Sequence, residues 1–367
     1  VAVVTTGEPT VCLSTGCIDL CAGPSAREGL EALPDEHPLR RLSLADMEAA
    51  LNGFKKTMDD LALTYTGGLD VNRKVLSALG SFKTTCLVPD TMAASPQTND
   101  EAIHIVTFEG LKDFYPAYIL SRFPQASFSV YDAGASTTMG IASRFEQGLF
   151  REAFVAWLEG QRIRENKIGI PAVLGLEDTQ GVLREIEYHL ERPVFEVPTL
   201  PPSMPGRRLF NALKAHFRNQ GGDIYWSWPV AGVEKTGHLV EAVFTPTDGK
   251  PNSLNARAFI LASGSFVGGG LTATRETIVE NIFHLPVFVP SARAGWFEDN
   301  YFSANHAISR AGVLADSSFR PEGAGFENVF VCGGILAHAQ ILKFGCGNGL
   351  SLTTGYAAAK ACAEYLS

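Results

Sequence analysis

Glu327-Asn328-Val329-Phe330-Val331-Cys332 runs into Gly333-Gly334, and a short loop later comes Gly345-Cys346-Gly347-Asn348-Gly349, then an alanine-rich stretch over 350–366. The β-branched and aromatic run ending in paired glycines predicts a strand closed by a tight turn, and 350–366 predicts a helix. Glycines at a helix start let backbone approach a flat ligand, and the first N–H groups, which lack intrahelical partners, present partial positive charge. That combination suits the electron-rich pyrimidine edge of a flavin, which gains negative charge on reduction. Gly333, Gly334, Gly345, Gly347, Asn348, Gly349 and Leu350 are therefore candidate cofactor contacts. An ordinary glycine loop capping an ordinary helix has the same composition, so the reading needs a second element.

Ala256-Arg257-Ala258-Phe259-Ile260-Leu261-Ala262 reads as a strand that breaks at Ser263-Gly264-Ser265-Phe266, with Gly268-Gly269-Gly270 beyond. A strand returning to a dinucleotide-binding sheet and breaking at Ala-Ser-Gly-Ser recurs in two-domain flavoproteins, as does the β-rich excursion at 224–246 before it. Ser263 and Gly264 join the cofactor candidates. The G-x-G-x-x-G fingerprint of dinucleotide folds is absent. The chain opens instead on Val1-Ala2-Val3-Val4-Thr5-Thr6, which reads as a buried strand and suggests that a glycine-rich strand and helix precede it in the natural product. Thr5 and Thr6, with Glu8 just after, stand where many such folds place an acid for the adenosine ribose, so the mononucleotide and dinucleotide flavins both stay open.

With 46% hydrophobic and 19% charged residues, a large buried core is expected and disorder is not. A net charge of −9 argues against general nucleic-acid binding. No apolar run approaches the roughly 20 residues of a membrane-spanning helix. Seven cysteines, an odd number in a chain of 367, point to a reducing, cytoplasmic compartment. Cys12, Cys17 and Cys21 lack the paired spacing of zinc or cluster ligands, so no metal site is expected. Residues 26–100 read as mixed helical material, including a helix over 43–63. Beyond them strand and helix alternate: strands at 102–107, 126–131, 168–174 and 194–197, helices at 111–122, 141–161 and 181–190. The long helix is expected to bury Phe145, Leu149, Phe154, Trp157 and Leu158 on one face. A proline-rich stop follows at Pro198-Thr199-Leu200-Pro201-Pro202, then a helix over 206–220 ending at Gly221-Gly222.

Several stretches together resemble a known family. They are Ser14-Thr15-Gly16-Cys17-Ile18-Asp19-Leu20, Gly110-Leu111-Lys112-Asp113-Phe114, Pro171-Ala172-Val173-Leu174-Gly175-Leu176, the run from Pro198 to Gly206 with Arg208, Leu261-Ala262-Ser263-Gly264-Ser265-Phe266 with Gly269-Gly270-Leu271, and Gly345-Cys346-Gly347-Asn348-Gly349. From Val3 onward the chain resembles the B subunits of anaerobic glycerol-3-phosphate dehydrogenase complexes, a flavoprotein family, without that family's N-terminal glycine-rich segment. The resemblance adds Ser14 and Gly16 to the cofactor candidates and implies an α/β fold. A split, Rossmann-like flavin-binding domain of the two-dinucleotide-binding type (residues 1–25 and 206–367, with a cap over about 267–325) would carry an inserted α/β domain at 26–205. It further implies FMN or FAD and oxidation of sn-glycerol 3-phosphate to dihydroxyacetone phosphate, with electrons passing towards quinone. The implied partners are the catalytic A-type flavoprotein of such complexes and an iron–sulfur, membrane-anchoring subunit, which would hold this chain peripherally at the inner membrane.

Arg275, Arg293, Arg320, Arg144 and Glu280 match charged positions of the family, and Val279-Glu280-Asn281 departs from its arginine–glutamate–proline run. Guanidinium groups offer a bidentate fork for phosphate and can neutralise a reduced flavin. His338, between the glycine pairs, could shuttle a proton between flavin and solvent. Arg275, Arg293 and His338 are the catalytic candidates, each weighed against a plain surface role. Two rival readings remain: a flavin oxidoreductase like fumarate reductase or ketosteroid dehydrogenase, and a cofactor-less scaffold within a redox complex.

Overall fold

The computed structural model describes every residue except Pro202 and Asp248, so the last residue of the expected proline stop, and the centre of the turn signal Thr247-Asp248-Gly249 that follows the β-rich excursion in the sequence, lie outside the described residues. The chain divides into two units, one formed by 1–10, 19–53 and 217–367, the other by 11–18 and 54–216.

The second unit is built on a four-stranded, wholly parallel sheet. Its strands lie in the order Ser127–Tyr131, Ile103–Phe108, Lys167–Pro171, Val194–Val197. Parallel neighbours need crossovers, and the helices Pro116–Leu120, Thr138–Phe145, Gly148–Glu159 and Thr179–Leu190 supply them. Ile103–Phe108 and Val194–Val197 are buried along their whole length, as expected of strands covered on both faces. Phe154 is the centre of an aromatic cluster, stacked on Phe108 (6.1 Å) and edge-on to Phe145 and Tyr131 (both 5.1 Å).

Several expected boundaries move, each for a local reason. The helix expected over 111–122 forms only at Pro116–Leu120, because Pro116 holds Tyr115 in an extended conformation (φ −126°, ψ 105°). The single helix expected over 141–161 is two, broken at Gln147. There the Glu146 carboxylate leaves the helix to accept the backbone N–H groups of Leu176 and Glu177. The break changes the phase, so Leu149, expected in the core, is 82% exposed while Phe154 and Leu158 are buried. Within 26–100 four short strands form beside the helix Leu44–Asp60; their three- and four-residue lengths left no periodic signal.

The end strand of this sheet, Val194–Val197, carries half of a buried ion pair. Arg208 (4% exposed) meets Glu196 (0%) through two bonds, Nη1 to Oε2 at 2.6 Å and Nη2 to Oε1 at 2.9 Å. Glu196 Oε1 also accepts from the Leu174 N–H, and Arg208 Nε donates to the Gly175 carbonyl. The arginine that the family pattern singled out thus ties the helix Met204–Asn219 to the strand Val194–Val197 and the loop after Lys167–Pro171.

The first unit is richer in short strands. Ala2–Thr5 pairs in parallel with Asp223–Trp226. The strand is present, but it is not buried: Val3 is 41% exposed, because the pair has no third strand beside it among the described residues. Gly232–Thr236, Leu239–Thr245 and Asn252–Asn255 form an antiparallel meander. Phe259–Leu261 and Val329–Val331 pair in parallel. Asn328 (2% exposed) fixes their start by exchanging hydrogen bonds with both backbone groups of Val240 and donating to the Arg257 carbonyl. The C-terminal helix, Gly347–Leu366, packs on this parallel pair, with Leu350 and Ala358 fully buried.

Removing one partner of a buried pair strands the other charge. Arg208→Leu is therefore expected to destabilise the protein by about 3–5 kcal/mol in chemical denaturation, and Arg208→Leu with Glu196→Leu by far less.

Candidate functional site

The parallel strands Phe259–Leu261 and Val329–Val331 end side by side, and their carboxyl ends are where open α/β sheets bind ligands. The first runs into Ser263-Gly264 and the second into Gly333-Gly334. The two turns touch: a Cβ on Gly334 would lie 3.6 Å from Ser265 N and 3.8 Å from Gly264 Cα. The loop 268–270 folds back over the first turn so closely that a Cβ on Gly270 would stand 2.0 Å from the Gly264 carbonyl oxygen. Ile341 bridges to the helix start, lying 3.5 Å from the Cβ position of Gly334 and 3.2 Å from that of Gly347. The Ser263-Gly264 turn and Gly334 are thus neighbours, and Ile341 lies between Gly334 and Gly347.

Not every candidate does what was expected of it. The Gly333 N–H donates to Thr354 Oγ1 (2.9 Å), the Leu350 N–H to the Cys346 carbonyl (2.7 Å), and the Gly349 N–H to the Asp19 carbonyl (3.0 Å). These three residues build the helix start and have no backbone donor left for a ligand. At Gly349 the reason for glycine is contact, since a Cβ would meet the Asp19 oxygen at 2.2 Å. Gly345 precedes the helix, and Gly347 and Asn348 are its first two residues. Ser14 and Gly16 lie in the other unit, in a turn where Ser14 Oγ accepts the Gly16 N–H and the Gly16 carbonyl accepts from the buried Tyr65 hydroxyl.

Arg275 is exposed at the turn of the hairpin Leu271–Ala273/Ile278–Glu280. Arg293 is committed to that turn, donating to the Thr274 carbonyl at 2.5 Å with its guanidinium over Trp296 at 5.1 Å. Arg320 stacks on Phe330 and Tyr365, and Arg144 is exposed. Glu280, almost fully buried, organises the next turn by accepting the N–H groups of Ile282, Phe283 and Leu285. His338 packs on Phe288 (4.3 Å) with left-handed backbone, and partial burial holds its pKa below the usual histidine value.

Sequence reasoning missed His37. Its ring is fully buried, Nδ1 accepting the Leu39 N–H (3.2 Å) and Nε2 donating to the Ala339 carbonyl (3.0 Å), with Cys346 Sγ 3.8 Å away. The available signal was Glu36-His37-Pro38, a proline at the first position of a helical turn with a side chain free to cap it. Burial pushes the Cys346 thiol up to about 12, so it is a neutral packing group. Among the described residues no cluster of His, Cys, Asp or Glu could hold a metal ion.

The geometry can be tested for a flavin. Ser263 Oγ is shut off from solvent and has no hydrogen-bond partner among the described residues, a condition that costs about 1–3 kcal/mol unless something completes it. It stands at the carboxyl end of a parallel strand, beside glycines without side chains and a 20-residue helix whose N-terminus favours negative charge. These residues fit a flat ligand with a polar, electron-rich edge.

Burial lowers the His37 pKa from 6.5 to about 4, outweighing the Ala339 hydrogen bond, while nearby His338 lowers it further. The unfolded chain therefore binds a proton below pH 6.5 that the folded chain refuses until about pH 4. Stability is expected to fall by about 2 kcal/mol from this residue between pH 7 and 5, as read by urea denaturation at the two pH values, with the drop reduced in His37→Gln.

Comparison with known proteins agrees with the geometry. The FAD binding domain family matches residues 1–350. A protein of Halobacterium salinarum named as a probable B subunit of anaerobic glycerol-3-phosphate dehydrogenase is 30% identical over 363 residues, covering 92% of this chain and 84% of the relative. Proteins of Aliivibrio fischeri and Actinobacillus succinogenes, named as the B subunits of anaerobic glycerol-3-phosphate dehydrogenase, are 25% and 26% identical. They cover 100% and 99% of this chain and 90% and 93% of their own length. The family match decides between the two flavins left open by the sequence, in favour of FAD. The chain belongs to the FAD binding domain family and to the family whose members are named as B subunits of anaerobic glycerol-3-phosphate dehydrogenase.

Proposed function

We propose that this chain is the FAD-carrying B component of an anaerobic glycerol-3-phosphate dehydrogenase, serving the oxidation of sn-glycerol 3-phosphate to dihydroxyacetone phosphate with electrons passed towards quinone. The observation that carries the reading is the buried, unpartnered Ser263 hydroxyl, facing Gly270 in the turn whose Gly264 and Ser265 touch Gly334. In this reading Ser263, Gly264, Gly334, Gly345, Gly347 and Asn348 hold the flavin, while Gly333, Gly349 and Leu350 fix the helix that faces it. Bound FAD would accept two electrons, as hydride equivalents, and release them singly or in pairs. The helix N-terminus at Gly347 and Asn348 would favour negative charge on a bound flavin. Arg275, exposed at its hairpin turn, is available to a phosphate, and Arg293 braces that turn through Thr274. His338 is the candidate proton relay, and partial burial holds its pKa below the usual histidine value, which favours passing a proton on over retaining it.

The names of the relatives support a multi-subunit assembly. We propose two partners: a catalytic A-type flavoprotein, and an iron–sulfur protein that anchors the assembly to the membrane. Among the described residues no helix is long and apolar enough to cross a membrane, which fits attachment through such partners.

The purified chain, supplied with FAD, is expected to show flavin absorption near ~450 nm. Added to its partners without oxygen, it is expected to bleach on addition of sn-glycerol 3-phosphate. A chain that stays colourless with excess FAD yet still assembles would overturn the flavoprotein assignment in favour of a scaffold. A flavin that does not respond to glycerol 3-phosphate but, once reduced with dithionite, is reoxidised by fumarate would overturn the substrate.

Gly349→Ala drives a methyl group into the Asp19 carbonyl. It is expected to cost about 1–3 kcal/mol of stability and to weaken FAD retention at least tenfold, as followed by release of fluorescent flavin.

A further inference from the structure

The segment that delivers the chain into the C-terminal helix carries left-handed backbone at His338 (φ 62°), Gln340 (φ 35°) and Gly345 (φ 59°). Glycine adopts this conformation freely, whereas His338 and Gln340 hold it only if their surroundings enforce it. The carbonyl between these two strained residues belongs to Ala339. It accepts from His37 Nε2 at 3.0 Å and lies 3.6 Å from Cys346 Sγ. Because a carbonyl only accepts, the His37 proton sits on Nε2, and Nδ1 is left to accept the Leu39 N–H. The imidazole ring also packs edge-on against Phe344 at 5.2 Å. Cys346 is the residue immediately before the C-terminal helix, its N–H donates to the Ile341 carbonyl, and Ile341 lies between Gly334 and Gly347. A single buried ring therefore spans from the turn Pro38–Arg41 to the strained loop that sets Ile341, Cys346 and the helix start.

We propose that His37 is a positioning residue for the flavin: by holding the Ala339 carbonyl it keeps the 338–346 loop in its strained path, and so fixes the helix N-terminus and the Ile341 wall of the site. The inference rests on the flavoprotein reading above. His37 does not touch the cofactor in this account; it acts through the loop. Two features distinguish this from mere filling of space. The ring is satisfied at both nitrogens in one tautomer, and the carbonyl it holds is flanked on both sides by non-glycine residues in left-handed conformation.

The test uses the full chain reloaded with FAD, reading the FAD dissociation constant by fluorescence quenching and the midpoint potential of the bound flavin. His37→Phe keeps an aromatic ring against Phe344 but offers neither nitrogen. It is expected to bind FAD at least tenfold more weakly, with a shifted potential. His37→Gln can donate an amide N–H to Ala339 and accept from Leu39, and is expected to stay within threefold of the parent chain. Parent-like affinity and potential in His37→Phe would overturn the proposal, as would equal losses in both variants. Gln340→Gly relieves the strain that His37 opposes, so adding it to His37→Phe is expected to recover affinity to within threefold. The same double variant decides the matter should His37→Phe alone fail to fold, and its failure to recover FAD binding would overturn the proposal. A parent chain that takes up no FAD would overturn the proposed function together with this inference, whereas the variant results bear on this inference alone.

Discussion

The first unit depends on how closely the C-terminal helix can approach the backbone at Asp19. The Gly349 N–H reaches the Asp19 carbonyl at 3.0 Å, and the space between the two segments admits no side chain. This contact places the first turn of the helix against the segment beginning at Asp19, and Leu350 and Thr354 then face inward to the parallel strands, where Thr354 Oγ1 takes the Gly333 N–H. A larger residue at 349 would push the helix away from all of these at once, because interiors packed at native density yield little.

Around that fixed helix the site is assembled from backbone more than from side chains. Ser263, Gly264, Gly334 and Gly347 present small surfaces, and the groups with strong charge sit elsewhere, paired or exposed. Arg293 braces a hairpin, Arg320 lies over aromatic rings, and Glu280 closes a turn. A flavin supplies its own chemistry, so the protein's task is shape, exclusion of water and a local field from oriented N–H groups. In the arrangement proposed above the strained loop is held through Ala339 by a buried histidine, so no fixed charge is needed to hold it.

The second unit follows a different logic. Its parallel sheet was legible because alternating apolar strands and amphipathic helices leave a periodic trace, and Val194–Val197 falls where the pattern put it. The short strands between residues 65 and 89 left no such trace, since three or four residues cannot establish a period. The helix break at Gln147 was invisible for another reason: it depends on Glu146 reaching the N–H groups of Leu176 and Glu177, some thirty residues away. Arg208 was noticed as part of a motif, but its role as half of a buried pair could not be read without knowing that Glu196 faces it.

By itself the sequence determined where the two chemically informative turns fall, because glycine, lacking a Cβ, takes the left-handed backbone that ends a strand, as Gly264 (φ 72°) and Gly333 (φ 73°) do. It also determined the flavoprotein family, through motifs spread over most of the chain. Only the tertiary structure decided what each candidate does. Whether the N–H of Gly333 or Gly349 is free for a ligand depends on Thr354 and Asp19, which are remote in sequence. Whether a histidine is a surface residue or a clamp depends on burial and on which carbonyl it finds. His37 and Ala339, about three hundred residues apart, have no local signature that links them, since a hydrogen bond across the core is a property of packing and not of composition.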